Sequence, residues 1–178
     1  MSSDFVVYLA SQSQLDYIKR TETAGDAFAF AIFNGKAGPD VLPGDWPLKC
    51  IADANTWGVN HRNCELYHWI LNGDPDLVSG AGSIFQTWFS EGEHSAITLD
   101  TYGEDYAFTP AQTAELADLV AKVDLAAAHR GYAGYCLQEG HNEPGESESA
   151  SFVDEFRALG KGLQEAVEKG YGIAWFRR

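Results

Sequence analysis

Residues 151–176 read SFVDEFRALGKGLQEAVEKGYGIAWF, and this stretch decides the fold class. Phe152, Phe156, Leu159, Leu163 and Val167 recur at three- and four-residue steps, the spacing that gathers apolar side chains on one helical face. The pattern predicts a helix that starts near Ser151 and stops at Gly170, where glycine accepts the left-handed turn that ends a helix. Ile173 to Phe176 then reads as a closing strand. A long amphipathic helix feeding a strand needs a sheet, both to pack on and to pair with. That requirement places the chain among α+β proteins.

Working outward, Thr109-Pro110-Ala111-Gln112 marks a second helix. Thr109 caps it, Pro110 takes the first helical position and Gln112 completes a capping box. Leu116, Leu119, Val120 and Val123 mark its buried face. Phe5 to Leu9 reads as a buried strand, and Ser11 and Ser13 offer N-caps for a helix through Leu15, Ile18 and Lys19 that ends near Gly25. Phe28, Phe30 and Ile32 alternate through Ala27 to Phe33, favouring a strand buried on both faces over a short helix. Asn60 to Leu71 reads as a helix closed by Asn72-Gly73, and Ile84, Phe85, Trp88 and Phe89 as an amphipathic turn or two. Ser95 to Leu99 reads as a short strand. Loops are expected at 35–47, 74–82 and 140–151. The expected architecture is a single compact α+β domain spanning residues 1–178, with a small mixed sheet packed against several helices and a candidate seam within 35–58.

Charge narrows the function classes. The 178 residues carry 26 acidic and 12 basic side chains, a formal net charge of -14. Such a field repels nucleic acid and anionic membranes, and attracts a basic protein surface. At 45% hydrophobic residues the chain can build a core, so disorder is not expected. Its three cysteines, an odd and widely spaced set, fit reduced thiols better than a disulfide framework. The start MSSDFVVYLAS lacks the basic region of a signal peptide, and no apolar run approaches the roughly 18 residues of a membrane span. The expectation is a cytoplasmic protein without a membrane partner.

Motifs with chemistry are weak. His61, Cys64 and His68 fall at i, i+3 and i+7 on one helical face and could converge on a metal such as zinc. One helix seldom supplies three ligands, and a half-buried packing face explains the same pattern. Cys136, with His129 and His141 nearby in sequence, is a candidate nucleophile, against the commoner reading of a buried thiol. Glu91 with Glu93 and Glu104 with Asp105 are carboxylate pairs of the kind that chance supplies in so acidic a chain. Asp74 and Asp76 lack the further ligands of a calcium loop, and Gly80 and Gly82 lack the third glycine or the Lys-Ser/Thr of a nucleotide loop. No catalytic residue and no cofactor are expected.

The acidic segment remains. Glu139 to Glu155 holds six carboxylates and no basic residue. Glu143, Glu146, Glu148, Asp154 and Glu155 read as a docking patch for a basic protein, with Tyr132 and Tyr135 as anchors. The alternative is a solubilising loop leading into a helix whose first turn favours carboxylates. The functional expectation is a non-catalytic acidic protein-binding domain, monomeric or a weak homodimer, of the inhibitor or immunity type that blocks a basic bacterial enzyme or toxin. The other class is an enzyme or small-ligand or metal binder centred on His61, Cys64 and His68.

Three stretches carry a resemblance: Cys64-Glu65-Leu66-Tyr67-His68-Trp69-Ile70-Leu71-Asn72-Gly73, Tyr102-Gly103-Glu104-Asp105-Tyr106-Ala107-Phe108-Thr109-Pro110, and Phe152 to Phe176. They resemble the YfbM-like bacterial proteins, a domain-of-unknown-function family, over about two-thirds of the chain by pattern. That family has a Trp-x-x-Leu-His-x-x-Leu-x-Gly helix, a Tyr-Gly-rich turn, a Thr-Pro-capped helix and a C-terminal helix running into a last strand. Cys64 and Tyr67 stand where its Trp and Leu are expected, and His61-Arg62 where it has an Asp-Lys pair. The shared residues are packing and turn residues, so the resemblance implies a fold and no activity.

Overall fold

The computed structural model describes residues 5–19, 50–53, 97–98, 106–138, 140, 142–143 and 145–177. In chain order these form β1 (Phe5–Ala10), α1 (Gln12–Ile18), β2 (Cys50–Asp53), β3 (Ile97–Thr98), β4 (Tyr106–Phe108), α2 (Pro110–Lys122), α3 (Leu125–Gln138), α4 (Glu146–Lys169) and β5 (Gly172–Arg177). The strand expected at 27–33, the helix at 60–71, the loops at 35–47 and 74–82 and the turns at 84–89 lie outside the described residues. Residues 50–53, inside the stretch read as a candidate seam, form β2.

The strands make one sheet in the order β2-β1-β5-β4-β3. β1 and β5 form its centre, paired antiparallel from Phe5 opposite Arg177 to Ala10 opposite Gly172. All the pairings among the described strands are antiparallel, within the expected α+β fold. In the β1–β2 ladder, Ala52 opposes Val7 and Cys50 opposes Tyr8. Ile51 is therefore the extra residue of a bulge.

Successive strand residues point to opposite faces. Val6 with Val7, Ala107 with Phe108, and Ile173 with Ala174 are each at most 1% exposed, so both faces of the sheet's centre are covered. The unbroken apolar runs of β1 and β5 suit that double burial. Phe108 and Trp175 meet edge to face with ring centroids 6.4 Å apart, an aromatic contact worth about 1 kcal/mol beyond its area.

The helix starts follow from side-chain caps. Ser11 and Gln14 form a capping box at α1, with the Ser11 N–H donating to Gln14 Oε1 at 2.7 Å. Thr109 and Gln112 repeat it at α2, where the Thr109 N–H donates to Gln112 Oε1 at 2.9 Å. Leu116 and Val120 are buried as the pattern predicts, while Leu119 and Val123 are half-buried. No sequence pattern predicts α3; the Ala126 N–H at its start donates to Asp124 Oδ1 at 3.1 Å.

α4 begins five residues before the expected Ser151, so Glu146 and Glu148 lie in its first turn and not in a loop. Gly145 at its N-cap offers no side-chain acceptor, and first-turn carboxylates suit the positive end of the helix dipole instead. Phe156, Leu159, Leu163 and Ala166 are buried. Val167, expected inside, is 39% exposed because the small Ala166 takes the inward position in the last turn. Gly170 closes the helix at φ 65°, as expected of that glycine.

Glycine also permits close packing of α4 on the sheet. A Cβ at Gly162 would lie 2.3 Å from Ile51 Cβ, whereas one at Gly160 would meet only Val120 Cγ1 at 3.4 Å. Gly162→Ala should destabilise the protein by about 1–3 kcal/mol through overpacking. Gly160→Ala should be neutral or stabilise by up to about 1 kcal/mol through helix propensity. Urea denaturation of the two variants checks the opposite signs; equal midpoints would mean that α4 does not seat on Ile51.

Candidate functional site

The acidic patch read from the sequence straddles the start of α4. Glu143 precedes the helix and is exposed, as are Glu146 and Asp154 on it. Glu148 and Glu155 also belong to α4, and Tyr132 and Tyr135 to α3, which packs against α4. The predicted patch residues thus fall on two adjacent helices and the segment between them. One of them is not an open charge: Asp154 pairs with Arg157, three residues on. Both partners are largely exposed, so the pair contributes little to stability but neutralises the patch locally.

Beside this patch His129, Glu146, Val153 and Asp154 border a shallow hollow of about 430 Å³. Among the described residues no group of three or more His, Cys, Asp or Glu side chains is placed to hold a metal. His61, Cys64 and His68 lie outside the described residues, as do Glu91, Glu93, Glu104 and Asp105. Cys136 is fully buried within α3 while His129 is exposed. A thiol without solvent access cannot meet a substrate, which favours the packing role for Cys136.

A larger groove of about 750 Å³ runs between the end of α2, the first residue of α3 and the outer side of α4. Its apolar lining comes from Val120, Val123, Leu125 and Phe156, with Gly160 adding no side chain. Arg157, Lys161, Gln164, Glu165, Glu168 and Lys169 of α4 form its polar border. Sequence reasoning did not find this groove. Polar residues at helical spacing are what any exposed helix face shows, and the apolar wall depends on the turn from α2 into α3.

Lys169 Nζ donates to Glu165 Oε1 at 2.8 Å and stands 6.0 Å from the Tyr171 ring centroid. The hydrogen bond to Glu165, foremost, raises the Lys169 pKa above its ordinary value. A raised lysine pKa contributes stability that is complete below the unfolded value and lost as pH climbs through the folded one. The pair therefore acts throughout the neutral range and is lost in alkali as Lys169 gives up its proton. Its exposure keeps the effect small and salt-sensitive.

Comparison with family models, with curated proteins and with solved structures yields no match for the chain. The YfbM-like resemblance therefore rests on its motifs alone. No helix among the described residues is long and apolar enough to cross a membrane.

Glu165→Gln should lower the Lys169 pKa toward the ordinary lysine value. An NMR titration of the Lys169 side chain reads this directly. An unchanged titration would show that Glu165 is not its partner in solution.

Proposed function

We propose that this chain is a non-catalytic acidic domain that binds a basic protein, of the inhibitor or immunity type that blocks a basic bacterial enzyme or toxin. One observation carries the reading. A chain with a net charge of -14 places exposed carboxylates at Glu143 and Glu146, where the chain enters its longest described helix. Charge of this size accelerates encounter with a basic surface and disfavours nucleic acid. Glu148 and Glu155 extend the acidic stretch along α4, and Tyr132 and Tyr135 on the neighbouring α3 are the proposed anchors. The pairing of Asp154 with Arg157 moves the weight of the patch toward Glu143, Glu146 and Glu148. The domain would work in the cytoplasm as a monomer or weak homodimer, without a cofactor.

Capture from the native lysate at low and at moderate salt should retain a basic protein near stoichiometry and shed it as salt rises. Reversing Glu143, Glu146 and Glu148 to lysine together should then slow association with that protein by about tenfold at low salt. The dissociation rate should change less. An association rate unaffected by the triple reversal would exclude this patch as the steering surface.

A further inference from the structure

Two charges on the groove border have no ion pair among the described residues. Arg157 is held by Asp154 and Lys169 by Glu165, which leaves Lys161 and Glu168. Seven residues apart on α4, they share one helical face about 10 Å apart along the axis. Gln164 lies between them on that face, with an amide that both donates and accepts. Behind this line Val123 and Leu125 present half-buried apolar surface, and beneath them lie the buried Val120 and Phe156.

With the paired Arg157, Glu165 and Lys169 set aside, the border along α4 reads cation, amide, anion, beside an apolar floor. Its chemical complement is carboxylate, amide and ammonium on a molecule with apolar side chains. We propose that the groove binds a short apolar peptide with free ends, about three residues long. Its carboxylate sits at Lys161, its central peptide group at Gln164 and its amino terminus at Glu168. Three extended residues span about 10 Å, the separation of the two charges. The groove volume of about 750 Å³ lies within the range of ligand-sized sites. A single amino acid is too short to reach both charges, and an internal segment of a long chain has no termini to offer. A second copy of α4 running antiparallel would also match lysine to glutamate. A helix about 10–12 Å wide, however, would cap the groove and leave its floor empty. The site uses a different stretch of α4 from the acidic patch and does not depend on it.

The probe is the tripeptide Leu-Ala-Leu, titrated into the full chain labelled at its valine and leucine methyl groups. Saturable one-to-one shifts should appear at Val120, Val123 and Leu125. N-acetylation or C-amidation of the peptide should each weaken binding about fivefold, the upper end for an exposed ion pair. Lys161→Glu should weaken it similarly. The double exchange Lys161→Glu with Glu168→Lys should restore it, because the peptide can reverse its direction. Both positions are exposed, so these variants keep the fold. No shift up to about 10 mM peptide, where even weak complexes are visible, would overturn the proposal. So would capped peptides that bind as well as the free one, or an affinity indifferent to Lys161→Glu. Groove shifts that follow protein concentration alone would assign the face to a second copy and overturn it too.

Discussion

The pairing of β1 with β5 is the constraint on which the rest of the structure depends. These strands come from opposite ends of the chain and lie side by side at the centre of the sheet, with six residues of each in register. β2 joins the sheet through β1, and β4 and β3 join it through β5. Without the central pair the sheet divides into two fragments, neither able to bury both of its faces. The closure is entropically costly because nearly the whole chain separates the partners. Contacts so distant in sequence also favour slow folding. Burial of Val6, Val7, Leu9, Ile173, Ala174 and Trp175 offsets that cost, since leaving these side chains in water is worse.

α4 reinforces the same junction. It belongs to the segment that leads into β5, yet it packs against β2 through Gly162 and Ile51. The helix thus ties the outer strand of the β1 side to the β5 side. With its inner face committed to Phe156, Leu159, Leu163 and Ala166, only its start and its outer border remain for recognition. The acidic start and the groove border divide those two stretches, and the Asp154–Arg157 pair lies between them. Long-range steering and short-range fit can therefore reside on one helix, since charge acts over a Debye length while a groove acts at contact.

Much of the fold was legible where local chemistry acts alone. The strand at Phe5–Leu9, the Thr109 cap, the glycine stop at Gly170 and the last strand all depend on near neighbours in sequence. Ser11-x-x-Gln14 forms the same box as Thr109-x-x-Gln112 and is legible by the same rule. α3 was not legible: LAAAHRGYAGYCLQ holds two interior glycines and a weak apolar stripe. Its formation rests on packing against α4 and on the Asp124 cap. The first turns of α4 were missed because the ESESAS segment is polar and shows no period. Val167 was misplaced because two neighbouring positions compete for the inside of a last turn, and the smaller Ala166 wins. Of the site, the acidic stretch was visible as composition, but Arg157 lies just beyond it and its pairing with Asp154 became evident only on the helix. The groove requires α2, α3 and α4 together, and no local pattern encodes that.

Native-state hydrogen exchange of the β1 and β5 backbone amides tests the central claim most directly. If this pair closes the fold, the amides of Val6 to Leu9 and of Ile173 to Trp175 should open together. They should exchange with the free energy of global unfolding and shift in parallel as urea is added. If β1 amides exchange many-fold faster than those of β5, with little dependence on urea, β1 opens locally while the remainder stays folded. The pairing of the two distant strands would then not be what the structure depends on.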